Sequence, residues 1–93
     1  MTTLLEIVRN LDTFDPSGMI YAATPWTEKS QAIVVTDTDG RTMRLTVEGV
    51  ALEYLLAVFI AVEVLEDWQM PADPEFAAEA KCARLIQYAI YDA

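Results

Sequence analysis

The pattern of apolar and polar positions divides the chain into helical and extended stretches separated by turn residues. Near the N-terminus Leu4, Ile7, Val8 and Leu11 recur on one helical face, and Thr3 stands three residues before Glu6, the spacing of a capping box. A short helix over Leu4–Asn10 is predicted. The cluster DTFDPSG at Asp12–Gly18 ends it, because its aspartates compete for the local backbone while proline and glycine favour turns.

Met19–Ala23, MIYAA, reads as a first strand closed by Pro25, whose ring pushes Thr24 towards an extended conformation. The run QAIVVTDTDGRTMRLTV then places a β-branched segment before Asp39-Gly40 and a second apolar run with Met43, Leu45 and Val47 after it. Asp-Gly suits a type I′ turn, whose two central residues need positive φ, so an antiparallel hairpin over Ala32–Thr38 and Arg41–Leu45 is expected. With Met19–Ala23 it makes a three-stranded sheet.

The most apolar stretch is LEYLLAVFIAVEVLEDW, Leu52–Trp68. Its apolar pattern runs from Val50 to Leu65 without a turn signal, and this length favours a helix, capped by Thr46, with Glu48 early and Trp68 and Gln69 closing it. On a wheel of about 100° per residue, Glu48, Glu53, Glu63, Glu66 and Asp67 share one side. Leu52, Leu56, Phe59 and Ile60 sit in the middle of that acidic side, an apolar patch with a charged rim. Either another element of the domain covers them, or they form an interface with a second subunit or a partner. After the connector Met70–Pro74, Asp73-Pro74 opens a last helix reaching about Tyr91, with Phe76, Ala80, Ala83, Ile86 and Ile90 as one face.

A chain of 93 residues is expected to form a single domain, residues 1–93. Its apolar fraction of 54% exceeds the roughly 45–50% typical of soluble domains, which favours a homo-oligomer or a bound protein partner. Fifteen acids against six bases give a formal charge of -9, a field that repels phosphate backbones and anionic lipids. Direct nucleic-acid binding is disfavoured. The charge would attract a basic protein, as an inhibitor or immunity protein facing a basic toxin or nuclease requires; the plainer alternative is that it merely keeps an apolar protein in solution or reflects a saline habitat. Glu53 and Glu63 leave only Tyr54–Val62 uninterrupted, too short for the roughly 20 residues of a membrane span. The start MTTLLEIVRNLD does not look like a secretory signal and a lone Cys82 forms no internal disulfide, so a cytoplasmic location is expected.

Candidate chemistry is sparse. The sequence has no histidine, one cysteine, and three scattered glycines, Gly18, Gly40 and Gly49, leaving no triad, thiolate cage or phosphate loop. Glu63 with Glu66 and Asp67, or Asp37 with Asp39, could hold a cation or act as an acid/base pair, but neither spacing is that of a calcium loop. No enzyme, cofactor or metal is expected. Trp26, in TPWTEKS, is either a recognition anchor or a cap on the edge of the core.

The segment MIYAATPWTEKSQAIVV, with its Ile-Tyr-Ala, Pro-Trp-Thr and Ser-x-Ala elements, resembles a pattern in small uncharacterised bacterial proteins of the domain-of-unknown-function kind. That resemblance implies a bacterial origin and no known activity.

The expected fold is therefore α+β: a short N-terminal helix, a three-stranded antiparallel sheet with an Asp-Gly hairpin, and two longer helices on one sheet face. The expected function is that of a non-enzymatic acidic protein-binding domain, self-associating, with a basic toxin or nuclease as the specific partner. Its interaction surface is expected at Leu52, Leu56, Phe59, Ile60, Glu63 and Trp26. The alternative is a nucleic-acid mimic that displays carboxylates to block a nucleic-acid-binding site.

Overall fold

A computed structural model describes residues 2–36, 43–68 and 77–91. The fold is α+β. Strands β1 (Thr2–Thr3), β2 (Met19–Ala22), β3 (Gln31–Val35), β4 (Arg44–Val47) and β5 (Val50–Ala57) form one antiparallel sheet in the order β1-β3-β2-β5-β4. Helices α1 (Leu4–Arg9), α2 (Val58–Glu66) and α3 (Ala77–Tyr91) pack on it. The sheet has five strands, not the three expected.

Helix α1 forms where the capping spacing predicts it. The Glu6 amide donates to Thr3 Oγ1 at 3.3 Å, while the Leu4 and Leu5 amides donate to the Ser30 and Glu28 carbonyls at 2.8 and 3.0 Å. Three of the four amides that a helix start leaves without intrahelical partners are thereby satisfied. Leu4, Ile7 and Val8 turn inward, and Leu11 continues that face in a 3₁₀ turn over Leu11–Thr13. Burying each such aliphatic side chain stabilises the fold by about 1.5–3 kcal/mol.

The expected Asp39-Gly40 hairpin requires β3 and β4 to pair, and they do not. β3 pairs with β2, through Met19↔Val35 and Ala22↔Ala32, and two strands separate it from β4. Residues 37–42, including Asp37, Asp39 and Gly40, lie outside the described residues. The physical reason is visible in the two strands themselves. Ala32–Val35 is apolar on both faces and takes an interior position, whereas β4 alternates exposed Arg44 and Thr46 with Leu45 and Val47 and suits an edge. The tight hairpin comes one turn later: Val47 pairs with Val50 around Glu48 (φ 52°) and Gly49 (φ 78°), both in the positive-φ region of a type I′ turn.

The long helix expected to start near Thr46 is also corrected. Thr46 lies in β4, Glu48 in the turn, and Val50–Ala57 is the strand β5; only Val58–Glu66 is helical. Val50, Leu52 and Tyr54 alternate with Ala51 and Glu53, a period of two that belongs to a strand. An irregularity between Ile20 and Tyr21 shifts the β2–β5 register, and the extra residue, Leu55, joins Leu56 in the core cluster. Helix α2 has no side-chain cap at Ala57; its first amides reach the loop before β2, Val58 to the Gly18 carbonyl at 2.9 Å and Phe59 to that of Pro16 at 3.3 Å.

The core cluster joins Leu4, Ile7, Val8 and Leu11 to Ile20, Ala22, Ala32, Leu56, Ala61, Cys82 and Leu85, all on the helix-covered side of the sheet. Tyr21 and Leu52 are buried but fall outside that cluster, on the opposite face, where register also places Ile33, Leu45, Val50 and Tyr54. Helix α3 buries Cys82 and Leu85; of the face predicted for it, Ile86 packs at the margin while Ala83 and Ile90 are exposed. Phe76, the Asp73-Pro74 start and the Met70–Pro74 connector lie outside the described residues.

Candidate interaction surface

The strand-to-helix switch at Ala57 disperses the patch that a continuous helix would have made. Leu52 and Leu56 are 0% and 1% exposed in a single chain and point to opposite sheet faces, so neither offers a surface. Phe59, on the first turn of α2, is 50% exposed. Ile60 is half-buried against the core and Glu63 is exposed. These last two share a shallow cleft of about 280 Å³ with Val64, Asp67, Trp68, Arg84 and Tyr88. Trp26 packs against the core edge, its indole N–H donating to the Ala22 carbonyl at 3.1 Å, after a cis Thr24–Pro25 peptide.

A larger groove, of about 490 Å³, runs between α3 and the turn at Thr27–Glu28. Ala83, Ile86 and Ile90, spaced three and four residues apart, form its apolar wall, and Tyr91 closes one end. Ile90 is 56% and Tyr91 77% exposed. The facing turn is pinned from both sides. Ser30, itself buried, accepts the Thr27 amide on Oγ at 2.9 Å and donates its hydroxyl to the Pro25 carbonyl at 3.2 Å. The Glu28 carbonyl takes the Leu5 amide of α1, which fixes the backbone that carries the Glu28 side chain.

The electrostatics of this groove are one-sided. Glu79 and Glu28 both line it. Arg9 donates to Glu6 Oε1 at 3.1 Å and stands 3.9 Å from Glu79 Oε1, while Glu79 Oε2 is buried with no hydrogen-bond partner among the described residues. Cys82, buried one turn along α3, has its thiol pushed up to about 12, first by burial and then by the charges of Glu28 and Glu79. Such a thiol stays protonated at neutral pH and is a poor nucleophile. A third cleft, of about 470 Å³, joins Val8, Arg9, Leu11 and Asp12 to Val62, Leu65, Glu66 and Lys81, with acids and bases in balance.

Among the described residues no group of three Cys, Asp or Glu side chains is arranged to hold a metal ion, and no helix is long and apolar enough to cross a membrane. Glu66 and Asp67 are exposed at the end of α2. The groove was half legible in the sequence. Ala83, Ile86 and Ile90 do form one face, but a second stripe, Cys82, Leu85 and Ala89, competes for the interior and wins it. No protein-family model matches the chain, and no curated protein or solved structure matches it.

Proposed function

We propose that this chain is a non-enzymatic, acidic protein-binding domain that self-associates and also receives a basic protein partner, of the toxin or nuclease kind that an inhibitor or immunity protein faces. The observation that carries the reading is the presence of exposed apolar side chains and unbalanced acid in one groove: Ile90 and Tyr91 line the same groove as Glu28 and Glu79, in a chain of formal charge -9. An apolar centre with a charged margin is the anatomy of protein interfaces. Phe59 adds a second exposed aromatic on α2. For self-association, support comes from the sheet face turned away from the core cluster, whose inward and partly exposed positions, among them Ile33, Leu45, Val50 and Tyr54, are aliphatic or aromatic.

Light scattering and sedimentation over a range of concentrations test the self-association. A species of twice the monomer mass is expected, surviving high salt because its contact is apolar. A monomer at every concentration removes that half of the reading. Retention of a basic partner at low salt that is lost as salt rises supports the electrostatic half, and a partner set indifferent to charge overturns it.

A further inference from the structure

The groove along α3 has one chemical feature that its apolar wall does not explain. Glu79 Oε2 has no hydrogen-bond partner among the described residues, Oε1 has only Arg9 at 3.9 Å, and the Glu79 side chain as a whole is 34% exposed. A carboxylate oxygen in that state is costly unless a donor reaches it. Arg9 is already engaged with Glu6 at 3.1 Å, so the neighbourhood holds three carboxylates, Glu6, Glu28 and Glu79, against one guanidinium. Beyond the acids the wall turns apolar, through Ala83, Ile86 and Ile90 to Tyr91. From Glu79 to Tyr91 is about 18 Å of helix at 1.5 Å per residue, room for three turns of a second segment.

We propose that this groove docks a basic amphipathic segment of a protein partner, with an arginine against Glu79 and Glu28 and aliphatic side chains laid along Ile86 and Ile90. The inference rests on the protein-binding reading above and gives its basic partner a place and a chemistry. A guanidinium fits the acidic end because it supplies several planar N–H donors to a carboxylate and carries the opposite charge. The aliphatic anchors match the three- and four-residue spacing that a helix seated in a groove reads. The overall acidity of the chain steers such a segment inward.

The test uses the full chain, labelled at its methyl groups, and n-octylguanidinium as a minimal stand-in for arginine joined to an aliphatic arm. Saturable shifts at the Ala83, Ile86 and Ile90 methyls are expected, with affinity at least tenfold above that of guanidinium alone and no such response to n-octanoate. Glu79→Gln is expected to weaken binding about tenfold, and Ile90→Ser, at an exposed position where folding is spared, to weaken it also. Shifts centred elsewhere, equal binding of octanoate, or an affinity untouched by both substitutions would overturn the proposal. A chain that self-associates and holds a basic partner yet ignores octylguanidinium loses this groove and keeps the broader reading.

Discussion

The ring of Tyr54 meets the ring of Tyr21 edge-on across the β5–β2 pair, with centroids 5.9 Å apart and planes at 74°. The pair lies on the sheet face opposite the helices, where Tyr21 is fully buried. Edge-to-face rings add about 0.5–1.5 kcal/mol to the area they bury. Tyr54→Ala is expected to cost about 2 kcal/mol in all, and Tyr54→Phe, which keeps the ring, less than about 1 kcal/mol. Urea unfolding measures both, and equal midpoints for the Ala and Phe variants would show that the ring contact contributes nothing.

The β4–β5 turn places a glutamate at φ 52°, a region where side chains with a Cβ are strained, followed by Gly49 at φ 78°. A Cβ on Gly49 would meet no atom within 4 Å, so its cost is purely one of backbone conformation. Gly49→Ala is expected to destabilise by about 1–2 kcal/mol, and Glu48→Asn to stabilise by about 0.5 kcal/mol, since asparagine tolerates the left-handed region. Thermal melting of the two variants should move in opposite directions.

Gly18 is needed for space. A Cβ there would stand 2.7 Å from Val34 Cγ1 and 3.0 Å from the Asp15 carbonyl oxygen, and the Gly18 carbonyl accepts the Val58 amide at the start of α2. Gly18→Ala is expected to cost about 2 kcal/mol, within the range of overpacking. The loss should appear locally, as faster amide hydrogen exchange at Val58 and Phe59. Unchanged exchange at those two amides would mean that the loop does not anchor the helix.

Burial and the charges of Glu28 and Glu79 raise the Cys82 thiol from 9.0 to about 12. A raised folded value stabilises the protein fully below the unfolded value and loses that contribution as pH climbs towards the folded one. Stability is therefore expected to fall between about pH 9 and pH 12, and Cys82→Ala, although less stable at neutral pH, should fall less steeply over that window. A disulfide reagent should label Cys82 only on unfolding. Rapid labelling of the folded chain at neutral pH would contradict the burial.

The elements with local causes were readable in the chain. Thr3 and Glu6 announce α1, Met19–Ala22 is extended where it should be, and α3 reaches Tyr91 as expected. Where two local signals compete, only the tertiary structure chooses between them. Asp39-Gly40 and Glu48-Gly49 both suit a turn, and only the second is flanked by strands that pair with each other. The patch of Leu52, Leu56, Phe59 and Ile60 depended on a helix continuing through Ala57, and with a strand there two of its four members go inside.

By itself the sequence determined the class of fold, the first helix, the acidity and the absence of histidine chemistry, because propensity, capping and charge act within a few residues. Tertiary structure decided where β5 gives way to α2, since no cap residue marks Ala57 and the amides of Val58 and Phe59 are satisfied by carbonyls some forty residues earlier in the chain, at Gly18 and Pro16. It likewise decided which apolar stripe of α3 is buried. Two faces of that helix are oily enough to be a core, and the sheet and α1 leave room for only one of them.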